Sequence, residues 1–240
     1  MRVAAVAALL AASLGLAASA PALHGERFGH SALGRPLRAV RIGDAHAPHR
    51  VLVVGCVHGN EPAGIAITRA LRRSRPPRGT AVWVVDDLNP DGRARGTRQN
   101  ARGVDLNRNF PGGWRRQGRP GSTYYSGPRA LSEPESRAAA RLVARVRPDV
   151  TVWYHQHLRI VVRTGGDVAL QRRYARLVGL PLRRLPNYPG TAVRWQNHRF
   201  PGTTAFVVEL PAGRLAAGAV RRHVRAVLDL ARRVAAVRGG

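Results

Sequence analysis

Three apolar runs in this 240-residue chain lead into groups able to bind a metal or move a proton. VLVVGC at 51–56 is followed by His58 and, past Gly59 and Asn60, by Glu61. DVTVWY at 149–154 runs into His155, and TAFVVE at 204–209 closes on Glu209. Two imidazoles and a carboxylate can hold Zn2+ while leaving a fourth position for water. A further carboxylate beside them can take a proton from that water and hand it to a leaving amine. Taken alone, HGNE at 58–61 also fits an ordinary strand-to-helix turn with an acid in the first turn of the helix.

Chemistry requires the three runs to end side by side. In open α/β sheets, ligands gather beyond the carboxyl ends of the strands. Short β-branched runs alternate with longer Arg/Ala/Leu stretches of helical period, which predicts an α/β fold. Strands are expected near 38–43, 51–56, 80–86, 149–154 and 204–209, and helices over 62–73, 133–147, 167–178 and 214–237. Pro62 fits a first helical turn, and Gly59 is expected to let the chain turn tightly between His58 and Glu61. The second helix opens on Ser132-Glu133-Pro134-Glu135, which has capping-box spacing. Residues 87–131 are rich in Gly, Asn, Pro and Arg and lack periodicity; irregular stretches of that length in a compact domain usually carry function.

Composition narrows the partners. The chain has 40 basic and 13 acidic residues, a formal net charge of +27. Every basic residue is arginine, scattered among abundant Ala, Gly, Val and Pro, as a GC-rich coding bias would give. The charge is therefore read as a solvated surface. Aromatics make up only 5% and no basic tract stands out, which argues against specific nucleic-acid binding. The field still favours anionic partners such as cell-envelope polymers.

Residues 1–22, MRVAAVAALLAASLGLAASAPA, read as an export signal, cleaved after Ala20 or Ala22. Its apolar run is short for a bilayer span, and nothing later is long and apolar enough, so a secreted protein without a membrane span is expected. Cys56 is the single cysteine, which excludes an internal disulfide; in a predicted buried strand it reads as packing.

Six motifs then occur in order: HGNE (58–61), NPDG (89–92), GTRQNARGVDLNRNFP (96–111), YSGPRALSEPE (125–135), YHQHL (154–158) and VVELP (207–211). With this set the chain resembles the zinc carboxypeptidase family from about residue 25 to 213. It is most similar to the bacterial murein peptide amidase branch, in which NPDG lies close before the DLNRNF segment. The resemblance implies a single catalytic domain over 23–240, a mixed central β-sheet flanked by helices, and one Zn2+ held by His58, Glu61 and His155. It implies that Asp105 accepts the free ring N–H of His58, fixing its tautomer. Arg98 would face the scissile carbonyl and stabilise the oxyanion. Asn107 and Arg108 would hold the substrate's terminal carboxylate, for which a planar guanidinium fork is suited. Glu209 would be general base and then acid. NPDG reads as a turn with only an indirect functional role.

His157 competes with His155, because residues two apart in a strand face the same side. His155 directly follows the apolar run and is taken as the ligand, with His157 expected to line the pocket. Specificity is expected in 187–203, where Tyr188, Trp195 and His198 are candidates. The implied activity is a secreted zinc metallopeptidase acting beside a free carboxylate, with peptidoglycan peptides of the γ-D-glutamate–diaminopimelate type as candidate substrates. One rival is an N-acyl amino acid deacylase resembling aspartoacylase or succinylglutamate desuccinylase; NPDG, the SEPE segment and Glu209-Leu210-Pro211 favour the peptidase. The other is a non-catalytic polyanion binder, which the intact His58, Glu61, His155 and Glu209 disfavour.

Overall fold

A computed structural model describes residues 24–238, so the expected signal over 1–22 lies outside the described residues. Within them, one sheet is built from β1 (His24–His30), β2 (Pro36–Gly43), β3 (His49–Val54), β4 (Thr80–Val85), β5 (Val150–Val162), β6 (Leu182–Arg183) and β7 (Thr204–Pro211). The helices are α1 (Gly64–Leu71), α2 (Pro90–Arg95), α3 (Pro134–Val146), α4 (Val168–Val178), α5 (Ala192–Arg199) and α6 (Ala217–Arg238). The sheet is mixed, as expected: β1, β2 and β4 pair antiparallel, while β4, β3, β5 and β7 are parallel neighbours.

Alternation along the parallel strands sorts their side chains onto two faces. Val51, Val53, Val82, Val84, Val152 and Tyr154 pack under α1, α4 and α6. Leu52, Val54, Trp83, Val85 and Trp153 pack on the other face, against α3, α5 and the Leu106–Phe110 region. With both faces covered, these strands are apolar throughout, which made them visible in the sequence. Each fully buried Val or Leu contributes roughly 1.5–3 kcal/mol relative to exposure.

Three local expectations are corrected. First, α1 begins at Gly64 with Ala63 as N-cap, so Glu61 and Pro62 belong to the preceding turn. Secondly, no capping box forms at α3. Pro134 stands in the first turn, but N-cap Glu133 makes no side-chain cap bond, and Glu135 instead accepts from the Ala32 N–H at 2.7 Å. Thirdly, β5 does not end at residue 154. It continues through His155, shifts register after His157, and returns along the far edge of β7. Val207 thus pairs with Trp153 on one edge and with Val162 on the other.

Candidate metal centre

The parallel order β4-β3-β5-β7 brings the carboxyl ends of β4, β3 and β7 beside the middle of β5, and His58, Glu61, His155 and Glu209 stand there. His58 and Glu61 close a turn in which the Glu61 N–H donates to the His58 carbonyl at 2.9 Å, so both side chains leave one turn. Gly59 is required there by close approach. A Cβ on it would stand 2.0 Å from the Gly92 carbonyl carbon. NPDG therefore contributes more than a turn. Asn89 caps α2 by accepting from the Gly92 N–H, Pro90 sits in the first turn, and Gly92 offers the bare backbone on which HGNE rests.

His58, Glu61 and His155 converge. His58 Nδ1 lies 2.9 Å from Glu61 Oε2, and His155 Nδ1 lies 3.0 Å from each of those atoms. All three residues are buried. His58 gives its other ring nitrogen to Asp105 Oδ1 at 2.9 Å, which leaves Nδ1 as the lone pair of the neutral ring. That lone pair faces a carboxylate and a second imidazole, an arrangement that needs a cation among them. Neutral imidazoles, a carboxylate and a carboxylate-tethered histidine suit Zn2+.

The electrostatics of the chain alone agree. Burial pushes His58 down, but Asp105 and Glu61 outweigh it and raise its pKa. Burial would raise Glu61, yet the two histidines hold it far below the usual carboxylate range. Asp105 is likewise depressed, with His58 and then Arg98 overcoming its burial. A bound zinc ion would take the place of the proton that raises the His58 pKa.

Glu209 is the cross-strand register partner of His155, which puts the two on the same face. Its Oε2 is buried without a hydrogen-bond partner among the described residues. Both residues line a cavity of about 1190 Å3, with Arg98, Asn107 and Arg108 on its wall. Arg98 gives Nε and one terminal nitrogen to Asp105 Oδ2 and the other to Glu61 Oε1 at 3.0 Å. Asn107 accepts from the Ala192 N–H at 3.0 Å and places its Nδ2 3.3 Å from His155 Nε2. Arg108 is only 7% exposed and forms no ion pair with a carboxylate among the described residues. Burial lowers its pKa, with Asp105 opposing from a distance. A buried guanidinium without a counter-ion beside an open cavity is suited to an anionic ligand.

His157 is exposed and outside the cavity lining, which corrects its expected place. The register shift that follows it takes this part of β5 away from the His155 environment. Tyr188, Trp195 and His198 all line the cavity; Trp195 also packs against Phe110 and Phe200. Cys56 is buried, and burial, with Asp87 adding to it, pushes the thiol up, away from reactivity. Gln156 was missed in the sequence. Its N–H donates to Glu61 Oε2 at 3.2 Å and its side chain ties Ala63 to Pro211, but its only sequence signal is adjacency to His155.

A buried His-Glu-His donor set beside the parallel strands, with a carboxylate in the same cavity, suits metal-dependent hydrolysis. The zinc carboxypeptidase family profile matches residues 14–166. Murein peptide amidase A of Vibrio campbellii is 31% identical over 204 residues, covering 77% of this chain and 78% of that one. The protein of the same name from Escherichia coli is 32% identical over 151 residues, covering 57% of this chain and 60% of the relative's length. Murein-tripeptide amidase from Escherichia coli O157 matches with a TM-score of 0.67 and 26% identity, over 87% of this chain and 91% of that chain. Carboxypeptidase A from Helicoverpa armigera shares the fold, with a TM-score of 0.76 and 19% identity over 90% of this chain and 69% of that one. The chain belongs to the zinc carboxypeptidase family, and it spans 60% of the length of the Escherichia coli relatives it matches.

Proposed function

We propose that the protein is an exported metallopeptidase that cleaves an amide bond next to a free carboxylate, with peptidoglycan-derived peptides as substrates. One observation carries this reading: Glu209, with an unpartnered buried oxygen, shares its cavity with Arg108, a buried cation without a carboxylate. His58, Glu61 and His155 would hold the zinc, which when bound would supply Lewis-acid chemistry and make water acidic enough to react near neutral pH. Glu209 would accept a proton from the attacking water and return it to the departing amine. Arg108 and Asn107 receive the terminal carboxylate and so set which bond lies before Glu209. Three N–H donors of Arg98 are committed to Glu61 and Asp105, leaving two of a guanidinium's five for the carbonyl oxygen.

Similarity to murein peptide amidases supports a bond of the γ-D-glutamyl–diaminopimelate type. Residues 1–22 support an extracytoplasmic site, where a net charge of +27 would hold the protein near anionic wall polymers. The test is product analysis on a wall tripeptide, ordinary L-peptides and an N-acyl amino acid, with and without a zinc chelator. Chelator-sensitive release of the carboxyl-terminal residue, fastest from the wall peptide, is expected. Faster cleavage of the N-acyl amino acid would replace this reading with a deacylase. Glu209→Gln should retain zinc and lose about 10²–10⁴ in kcat; full activity would remove Glu209 from its role. N-terminal sequencing of the exported protein should find a start at Pro21 or Leu23, and an intact Met1 there would refute signal removal.

A further inference from the structure

Tyr124 lies outside the cavity lining, yet it touches both guanidiniums that face the cavity. Its ring centre is 5.1 Å from Arg108 Cζ and 5.5 Å from Arg98 Cζ. The residue is 53% exposed, so core packing does not account for its position. Its loop is fastened to the segment carrying the site. Asp105 N–H donates to the Tyr125 carbonyl at 2.8 Å, Gly121 N–H to the Gly103 carbonyl at 3.1 Å, and Gln99 Nε2 to the Ser122 carbonyl at 3.0 Å. The neighbouring Tyr125 is buried and anchors the turn, which leaves Tyr124 directed at the arginines.

The two cations are close enough to repel, for Arg98 depresses the proton affinity of Arg108. Arg98 is secured by Glu61 and Asp105. Arg108 has one side-chain hydrogen bond among the described residues, to the Asn107 carbonyl at 2.9 Å. One hydrogen bond fixes a position but does not fix the plane of a guanidinium. Two rings supply the rest: Tyr124, and Tyr188 with its ring centre 4.8 Å away. Cation–π contacts strengthen when the cation is desolvated, and Arg108 is buried.

We propose that Tyr124 is a positioning residue whose ring holds the Arg108 fork in the plane that receives a substrate carboxylate, while bracing Arg98 beside it. The inference rests on Arg108 being the carboxylate anchor. Because Tyr124 acts through Arg108, its loss weakens ground-state and transition-state binding alike and appears mainly in KM.

The test uses the zinc-loaded protein with two peptides, a γ-D-glutamyl-diaminopimelate tripeptide and an ordinary L-tripeptide with a free carboxyl terminus. KM and kcat are measured, and Kd is measured in a Glu209→Gln background. Tyr124→Leu should raise KM and Kd about tenfold with a smaller change in kcat. Tyr124→Phe and Tyr124→Trp keep a ring face and should stay within about twofold of the parent. Zinc affinity and melting temperature, read in parallel, should be unchanged. Parental KM and Kd in Tyr124→Leu, or equal impairment in all three variants, would overturn the proposal. Arg108→Gln with undiminished peptide affinity would remove the anchor itself, and this inference with it. Dependence on Arg108 with indifference at Tyr124 would sink this inference alone.

Discussion

Asp105 serves two donors with its two oxygens: Oδ1 accepts from the His58 ring, and Oδ2 from the Arg98 guanidinium. Oδ1 also accepts from the Asn107 N–H at 2.9 Å, starting the short 3-10 turn over Leu106–Arg108 that presents Asn107 and Arg108. One side chain thereby links the proposed metal ligand His58, the oxyanion candidate Arg98 and the proposed carboxylate anchor Arg108. Asp105→Asn keeps the shape and removes the charge. It should weaken zinc binding about 10–100-fold in competition with a chromophoric chelator. Unchanged affinity would mean that the negative charge contributes nothing to His58 as a donor. At this scale the sequence was informative wherever residue type limits chemistry. His58, Glu61, His155 and Glu209 could be singled out because buried imidazoles and carboxylates at strand ends need a reason to be there. Gln156 and Tyr124 could not, since an amide beside a ligand or a tyrosine in an irregular loop has many ordinary uses.

HGNE rests on the first turn of α2, where NPDG lies, and Gly59 makes that contact possible, while Gly92 is needed for packing against its own Asn89–Gln99 segment. A Cβ at Gly92 would come within 2.4 Å of the Gln99 carbonyl oxygen, just as one at Gly59 would strike Gly92. Gly59→Ala must push HGNE away from the first turn of α2 or move His58 off its partners. A loss of about 3 kcal/mol in stability is expected, read from the denaturation midpoint at constant m-value. Zinc affinity should fall in the same variant. Elements were legible where periodicity had something to report. β3, β4 and β7 are buried apolar runs and stood out, as did α3, α4 and α6. β1, HGERFGH, is an edge strand with mostly exposed residues and no apolar run. α2 is six residues of PDGRAR, and α5, AVRWQNHR, is mostly polar. The return of β5 around β7 depends on long-range pairing, which local pattern does not encode.

For the molecule as a whole, acid stability is set partly far from the chemistry. Under the helical layer, Tyr154 OH lies 2.6 Å from Tyr174 OH, which lies 2.7 Å from His223 Nδ1 on α6. Burial, with Arg222 adding to it, pulls the His223 pKa down to about 4. The folded protein then binds fewer protons than the unfolded chain between pH 4 and 6.5, so this contribution is complete above 6.5 and lost as pH falls. A shift of that size corresponds to about 3 kcal/mol. Metal-free His58, whose pKa is raised, gives the opposite slope only above 6.5. Denaturation of chelated protein from about pH 6.5 to about 4.5 should show falling stability, and His223→Gln should flatten that slope. An unchanged slope would place the acid sensitivity elsewhere.

The pairing of His155 with Glu209 across β5 and β7 bears on how such a protein can diverge. The spacing between the proposed metal ligand His155 and the proposed proton carrier Glu209 is stored as a hydrogen-bond register. A single residue inserted within 204–208 would turn Glu209 to the opposite face. Residues added to 112–123 or 184–190 would alter the cavity wall and leave that spacing untouched. Descendants of this chain can therefore exchange substrates through their loops while inheriting one reaction in the sheet.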